Sequence, residues 1–438
     1  MRKQAWLPAI GALLALLGAQ TAAGQGAPDR RLDFGAEYAA IGYTGTPEQN
    51  PIAQLAARLE SGEAQLEHRP GRLYLDSLLA ALNIDPGSQA LVYSRTSLQG
   101  ALISAATPRA IYFNDTTYVA WIPGTTMLEI VTTDAALGPV FYILRSGPGA
   151  QPEFRRHTGT CLVCHDTYSG KAGGVPLLMV KSVFAARDGA PLTEPIEVTD
   201  ATPLEERWGG WYVTGRHGGA VHRGNIQVSS EAELADIEHV RRGNLDTLEG
   251  LGFFDTEPYL RATSDIVALL VLEHQVSVQN QITYVKFKAP AVLQRMGHAD
   301  AAAAQSWDAL PPQAQAALTR MLEDLTQRML FVDAAELGDR IESTSGFDSW
   351  LQAQGPRDSA GRSLRDLDLQ TRLFRYPLSY LIYSEAFDAL PPYAKDYVYR
   401  TLADVLDGGG GETYAHLTAD DRRAIKGILL DTKPDFGG

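Results

Sequence analysis

AIYFNDTTYVAWIPGTTMLEIVTTDAALGPVFYIL, residues 110–144, is the stretch whose reading decides the fold. Its apolar residues fall in short runs, AIYF, TYVAWI, MLEIV and VFYIL, rich in β-branched and aromatic side chains. Asn114-Asp115, Pro123-Gly124 and Leu137-Gly138 punctuate them. Runs of this length and composition are strands, and breaks this close predict an antiparallel meander. Further strand candidates are ALVYS (90–94) before it, and PLLMVKSVF (176–184) and WGGWYVT (208–214) after it.

Outside that centre the spacing changes. Residues 51–66 carry Ile52, Leu55, Leu59 and Leu66 at helical intervals, and a second helix is expected over 73–84, ending before Asp85-Pro86-Gly87. Beyond Ser229 the pattern is helical again. Ser230 is placed to cap a helix towards His239, and Thr263 or Ser264 to cap DIVALLVLEHQVSVQNQITYV (265–285), apolar nearly all round like a buried helix. PPQAQAALTRMLEDLTQRML, YPLSYLIYSEAFDAL and PPYAKDYVYRTLADVL read as amphipathic helices with proline near their starts. The expected class is α+β: a short helical N-terminal part (25–100), a β-rich region (101–228) and a mainly helical C-terminal half (229–438).

The first residues, MRKQAWLPAIGALLALLGAQTAAGQGAPDR, place Arg2 and Lys3 before an apolar run over about 5–17, followed by small residues at Ala22, Ala23 and Gly24. This is the layout of a secretory signal peptide over 1–24, and the run is short for a spanning helix of about 20 residues. The expectation is export to a bacterial periplasm with no membrane span in the mature chain. A formal net charge of −14 argues against nucleic acid or an anionic membrane surface as a partner. Docking to a basic partner is compatible with it.

Both cysteines of the 438 residues lie in RRHTGTCLVCHDTYSG (155–170). A bridge between residues three apart closes too small a loop to stabilise a chain of this length, so the thiols point to reactivity. Cys161-Leu162-Val163-Cys164-His165 has the C-x-x-C-H spacing of covalent haem attachment. On a helical turn the two thiols and the histidine share one side, so each thiol reaches a haem vinyl group while the imidazole is offered to iron. Random placement of two cysteines gives this pattern on the order of one time in 10⁴. A thioredoxin-like C-x-x-C follows a buried strand of a βαβ unit, whereas polar RRHTGT precedes it here. Thiolate zinc sites want further cysteines. No P-loop, dinucleotide fingerprint, zinc-protease helix or G-x-S-x-G elbow is found.

On residues 161–165 the chain resembles the c-type cytochromes. The resemblance implies one covalent haem c, with Cys161 and Cys164 as thioether residues, His165 as proximal iron ligand, and electron transfer. More loosely, TPRAIYFND, ERWGGWYVTG, SDIVALLVLEHQ and RYPLSYLIYSEAFDALPP are similar to a family of large exported single-haem proteins, over most of the chain and without a settled activity to transfer.

What faces the other side of the iron then decides the function. His222 and His217, in the glycine-rich GRHGGAVHRGN, and His274, in LLVLEHQ, are candidate distal ligands or distal-pocket groups; Met179 reads first as a core methionine. Arg155 and Arg156 are candidate partners for haem propionates, and Arg216 and Arg223 share that role at lower weight. The expected function is single-electron transfer between Fe(III) and Fe(II), with a redox protein or a small-molecule donor or acceptor as partner. The alternatives are a haem enzyme, peroxidase- or oxygenase-like, with an open distal side, or a haem-based sensor.

Overall fold

A computed structural model describes residues 42–145, 151–166, 173–237, 243–252 and 254–437. The signal-peptide reading of 1–24 lies outside the described residues. The protein is α+β, as its pattern predicts: an antiparallel sheet carries the cysteine segment, and the C-terminal half is helical.

The meander forms β1 (Ala90–Val92), β2 (Arg109–Phe113), β3 (Thr117–Trp121), β4 (Met127–Asp134), β5 (Gly138–Arg145) and β6 (Glu153–Arg156), each paired antiparallel to the next. Two short strands, β7 (Lys181–Ser182) and β8 (Ile196–Glu197), pair separately, and β9 (Trp211–Tyr212) joins the outer side of β1. The seven-stranded order is therefore β6-β5-β4-β3-β2-β1-β9. The sheet begins at Ala90, ahead of the boundary drawn at 101. PLLMVKSVF and WGGWYVT contribute only two paired residues each, because much of their backbone bonding goes to loops and side chains rather than to a neighbouring strand.

Successive side chains of a strand point to opposite faces, and the sheet separates two cores accordingly. Tyr112, Val119, Leu128 and Ile130 pack with Ile52, Leu55, Leu75 and Leu78 of the helices Pro51–Glu60 and Leu75–Ala81. Phe113 and Tyr118 join the other core, built on the helix Ile266–Arg295. That 30-residue helix is buried continuously from Ile266 to Gln279. Around it lie the helices Pro312–Met329, Phe347–Ala353, Pro392–Leu406 and Ala419–Thr432.

Two local expectations are corrected. The cap of the long helix is Asp265, not Thr263 or Ser264: its Oδ1 accepts from Val267 N and Ala268 N at 2.8 and 3.2 Å. A carboxylate has two oxygens, and here Oδ2 also accepts from Ser343 Oγ and the backbone N–H groups of Thr344 and Ser345. YPLSYLIYSEAFDAL is not one helix. Ser379 and Ser384 each turn a side-chain oxygen onto a downstream backbone N–H, dividing the segment into the 3₁₀ turn Tyr380–Tyr383 and the short helix Glu385–Asp388. Among the described residues no helix is long and apolar enough to cross a membrane.

Candidate functional site

After β6 the chain leaves the sheet and makes one helical turn, Leu162–His165. Leu162 anchors it by inserting fully buried into the N-terminal core, while Val163 and Cys164 face outward. The backbone N–H groups of Cys164 and His165 both donate to the Cys161 carbonyl at 3.2 Å, closing the turn that brings positions 161, 164 and 165 together. Neither thiol is in a disulfide; Cys161 is half-buried and Cys164 exposed. Burial pushes the Cys161 thiol up to about 11, with Glu129 adding to it. That is opposite to the depressed thiol of a dithiol redox centre.

His165 is held on both its backbone and its ring. Its carbonyl accepts from Leu177 N at 2.8 Å, and its Nδ1 donates to the Leu177 carbonyl at 2.8 Å. A carbonyl only accepts, so Nδ1 carries the proton and Nε2 presents its lone pair. The ring packs on Phe141 of β5, centroids 4.7 Å apart. Burial disfavours its charged form and lowers its pKa, against the Leu177 hydrogen bond. A ligating imidazole with its second nitrogen tied to a backbone carbonyl is the usual arrangement on a metal. Asn280 of the long helix completes the support: its Oδ1 accepts from Leu178 N and its Nδ2 donates to Leu178 O, both at 2.8 Å. Nothing in the spacing of the sequence marks Asn280, because it acts through Leu178, which precedes β7 and lies about a hundred residues away.

These residues fit a haem c: on a single turn stand two unbridged thiols and an imidazole whose Nε2 has no partner among the described residues. Among the described residues no group of three His, Cys, Asp or Glu side chains converges as a set for a bare metal ion.

Around this turn the charges acting on His165 come from Arg109 and Lys181, opposed by Glu129. Arg109, first residue of β2, pairs with Glu129 at 3.4 Å, and Ser97 and Gln99 also donate to that carboxylate. The Arg109 Nε is buried with no hydrogen-bond partner among the described residues. An orphaned guanidinium N–H beside the turn suits a propionate oxygen, and sequence reasoning missed it because a strand arginine carries no motif. Arg155 pairs with Glu153 in an exposed bridge; Arg156 bonds Glu48 and the Thr46 and Tyr43 carbonyls through its terminal nitrogens, while its buried Nε likewise has no partner among the described residues. Arg216 pairs with Asp246, and Arg223 lies over the Phe184 ring.

No family model, curated protein or solved structure matches the chain.

The other candidates are placed apart from His165. His217 and His222 follow β9, at the opposite edge of the sheet from β6. They are buried, edge to face at 4.8 Å, with His222 against Trp208. His217 Nδ1 donates to the Ala220 carbonyl, and His222 Nδ1 accepts from Gly224 N. Val221, next to His222 in the chain, is exposed. His274 lies in the C-terminal core, where Asp200 and Ser379 bind its two ring nitrogens at 3.0 and 2.9 Å. Met179 is exposed rather than core.

Proposed function

We propose that the protein is an exported redox protein carrying one haem c on Cys161 and Cys164, with His165 as iron ligand, that passes single electrons to or from a partner protein or small molecule. The observation that carries this reading is the doubly held His165, whose Nδ1–H is tied to Leu177 O while Nε2 is left for iron beside two unbridged thiols. When bound, the haem would supply a one-electron Fe(III)/Fe(II) couple. The chain's own part is to fix the ring through Leu177, Asn280 and Phe141, and to offer Arg109 to a carboxylate. A net charge of −14 favours a basic partner over an acidic one.

The test is expression in a periplasm that attaches haem, followed by mass spectrometry of the peptide holding residues 161–165. A haem adduct is expected in the parent protein and in neither Cys161→Ala nor Cys164→Ala as a full two-thioether product. A parent chain that carries no haem sinks the reading. A ferric spectrum that is low-spin and unaltered by cyanide or CO supports electron transfer. A high-spin form that takes up peroxide or CO would replace it with the haem-enzyme reading.

A further inference from the structure

A cavity of about 430 Å³ opens between residues of the C-terminal half and the loop holding Asp200 and Arg207, away from the cysteine turn. Its apolar lining, including Leu270, Leu337 and Phe374, belongs to the C-terminal core, whereas Leu162 belongs to the other. The volume is that of a small-molecule site.

At its floor stands Asp200, whose side chain is 15% exposed. One carboxylate oxygen accepts from His274 Nδ1 at 3.0 Å, and the other has no partner among the described residues. Burial alone would raise Asp200, but His274, Arg207 and Arg328 outweigh it and hold the carboxyl below its ordinary value. The cations that line the space are already committed. Arg207 gives its N–H groups to Glu273 and to the Thr202 and Asp200 carbonyls, and Arg372 is bidentate to Asp421. The lining carboxylates of Asp333, Glu336 and Glu412 have no ion-pair partner among the described residues. Phe331 and Phe374 border the space with their rings packed on each other at 5.7 Å, and Phe331 is stacked on His274 at 4.3 Å and held at φ +57°. Left-handed backbone at a bulky residue persists only where its surroundings enforce it.

We infer that this cavity binds a small organic cation, an amine with an apolar body, whose ammonium group meets the free oxygen of Asp200. A carboxylate oxygen left without a partner at an apolar cavity is an acceptor for a charged ammonium donor. The unpartnered carboxylates around it add attraction for a cation and repel an anion. This second site stands independently of the haem reading.

Calorimetric titration of the full chain with phenethylammonium, 2-phenylethanol and 3-phenylpropionate tests it, the three differing mainly in head-group charge. The amine is expected to bind, and the neutral and anionic probes to bind at least about tenfold more weakly, the ratio that one good charged contact confers. Asp200→Asn, which keeps an acceptor for His274, is expected to weaken the amine about tenfold. The exposed pair Glu336→Gln/Glu412→Gln leaves the core untouched and should weaken it roughly threefold, more at low salt. The inference is overturned if the parent binds none of the probes, if phenylpropionate or phenylethanol binds as tightly as the amine, or if the rim variant binds the amine unchanged.

Discussion

Replacing Glu273 by glutamine should remove a pH dependence of stability that originates in the core. Glu273 lies fully buried on the long helix, one oxygen 2.8 Å from Arg207 Nη1. Burial raises its carboxyl from the ordinary 4.5 to about 7, outweighing the opposing Arg207 charge. At about 1.4 kcal/mol for each tenfold difference in proton affinity, that gap amounts to roughly 3 kcal/mol at most. The folded state holds this proton more tightly than the unfolded chain. The stability it contributes is therefore complete below about pH 4.5 and is lost as pH rises through about 7. Glutamine resembles the protonated group and does not titrate. Urea unfolding of both proteins across this range, at matched ionic strength, isolates the residue, since every other titrating group cancels in the difference. The variant should gain on the parent by up to about 3 kcal/mol between the acid and the alkaline end. A flat difference would refute the reasoning. One that falls with pH would mean that Arg207 holds the carboxylate ionised in the fold.

Asp265→Ala strips the cap of the long helix and strands three further donors of residues 343–345, so a loss of about 4 kcal/mol is expected in denaturant unfolding. Asn280→Ala removes both bonds to Leu178; it should cost about 2 kcal/mol and speed hydrogen exchange at the Leu178 amide, and unchanged exchange would show that Asn280 does not support the His165 segment. Gly189→Ala, at φ +89° with a new Cβ 2.8 Å from the Tyr93 and Ile103 carbonyls, should destabilise by about 2 kcal/mol or more in thermal unfolding.

The sequence by itself determined the antiparallel meander, the helical C-terminal half and the spacing of Cys161, Cys164 and His165. Each depends on local physics: turn residues between short β-branched runs, a helical period, and three side chains on one turn. Some local signals still misled. Thr263 and Ser264 have the right chemistry for a cap, yet Asp265 takes the position because its second oxygen also satisfies three donors from a loop nearly eighty residues on. Only the tertiary structure decided which carbonyl holds His165, that Asn280 holds that carbonyl's segment in turn, and that Arg109, which no motif marked, has a buried N–H without a hydrogen-bond partner among the described residues. Only it showed that His274 has both nitrogens committed and that Asp200 keeps one oxygen open to a cavity. Hydrogen-bond satisfaction is settled between groups distant in the chain, and no spacing in a sequence records whether a polar atom has already found its partner.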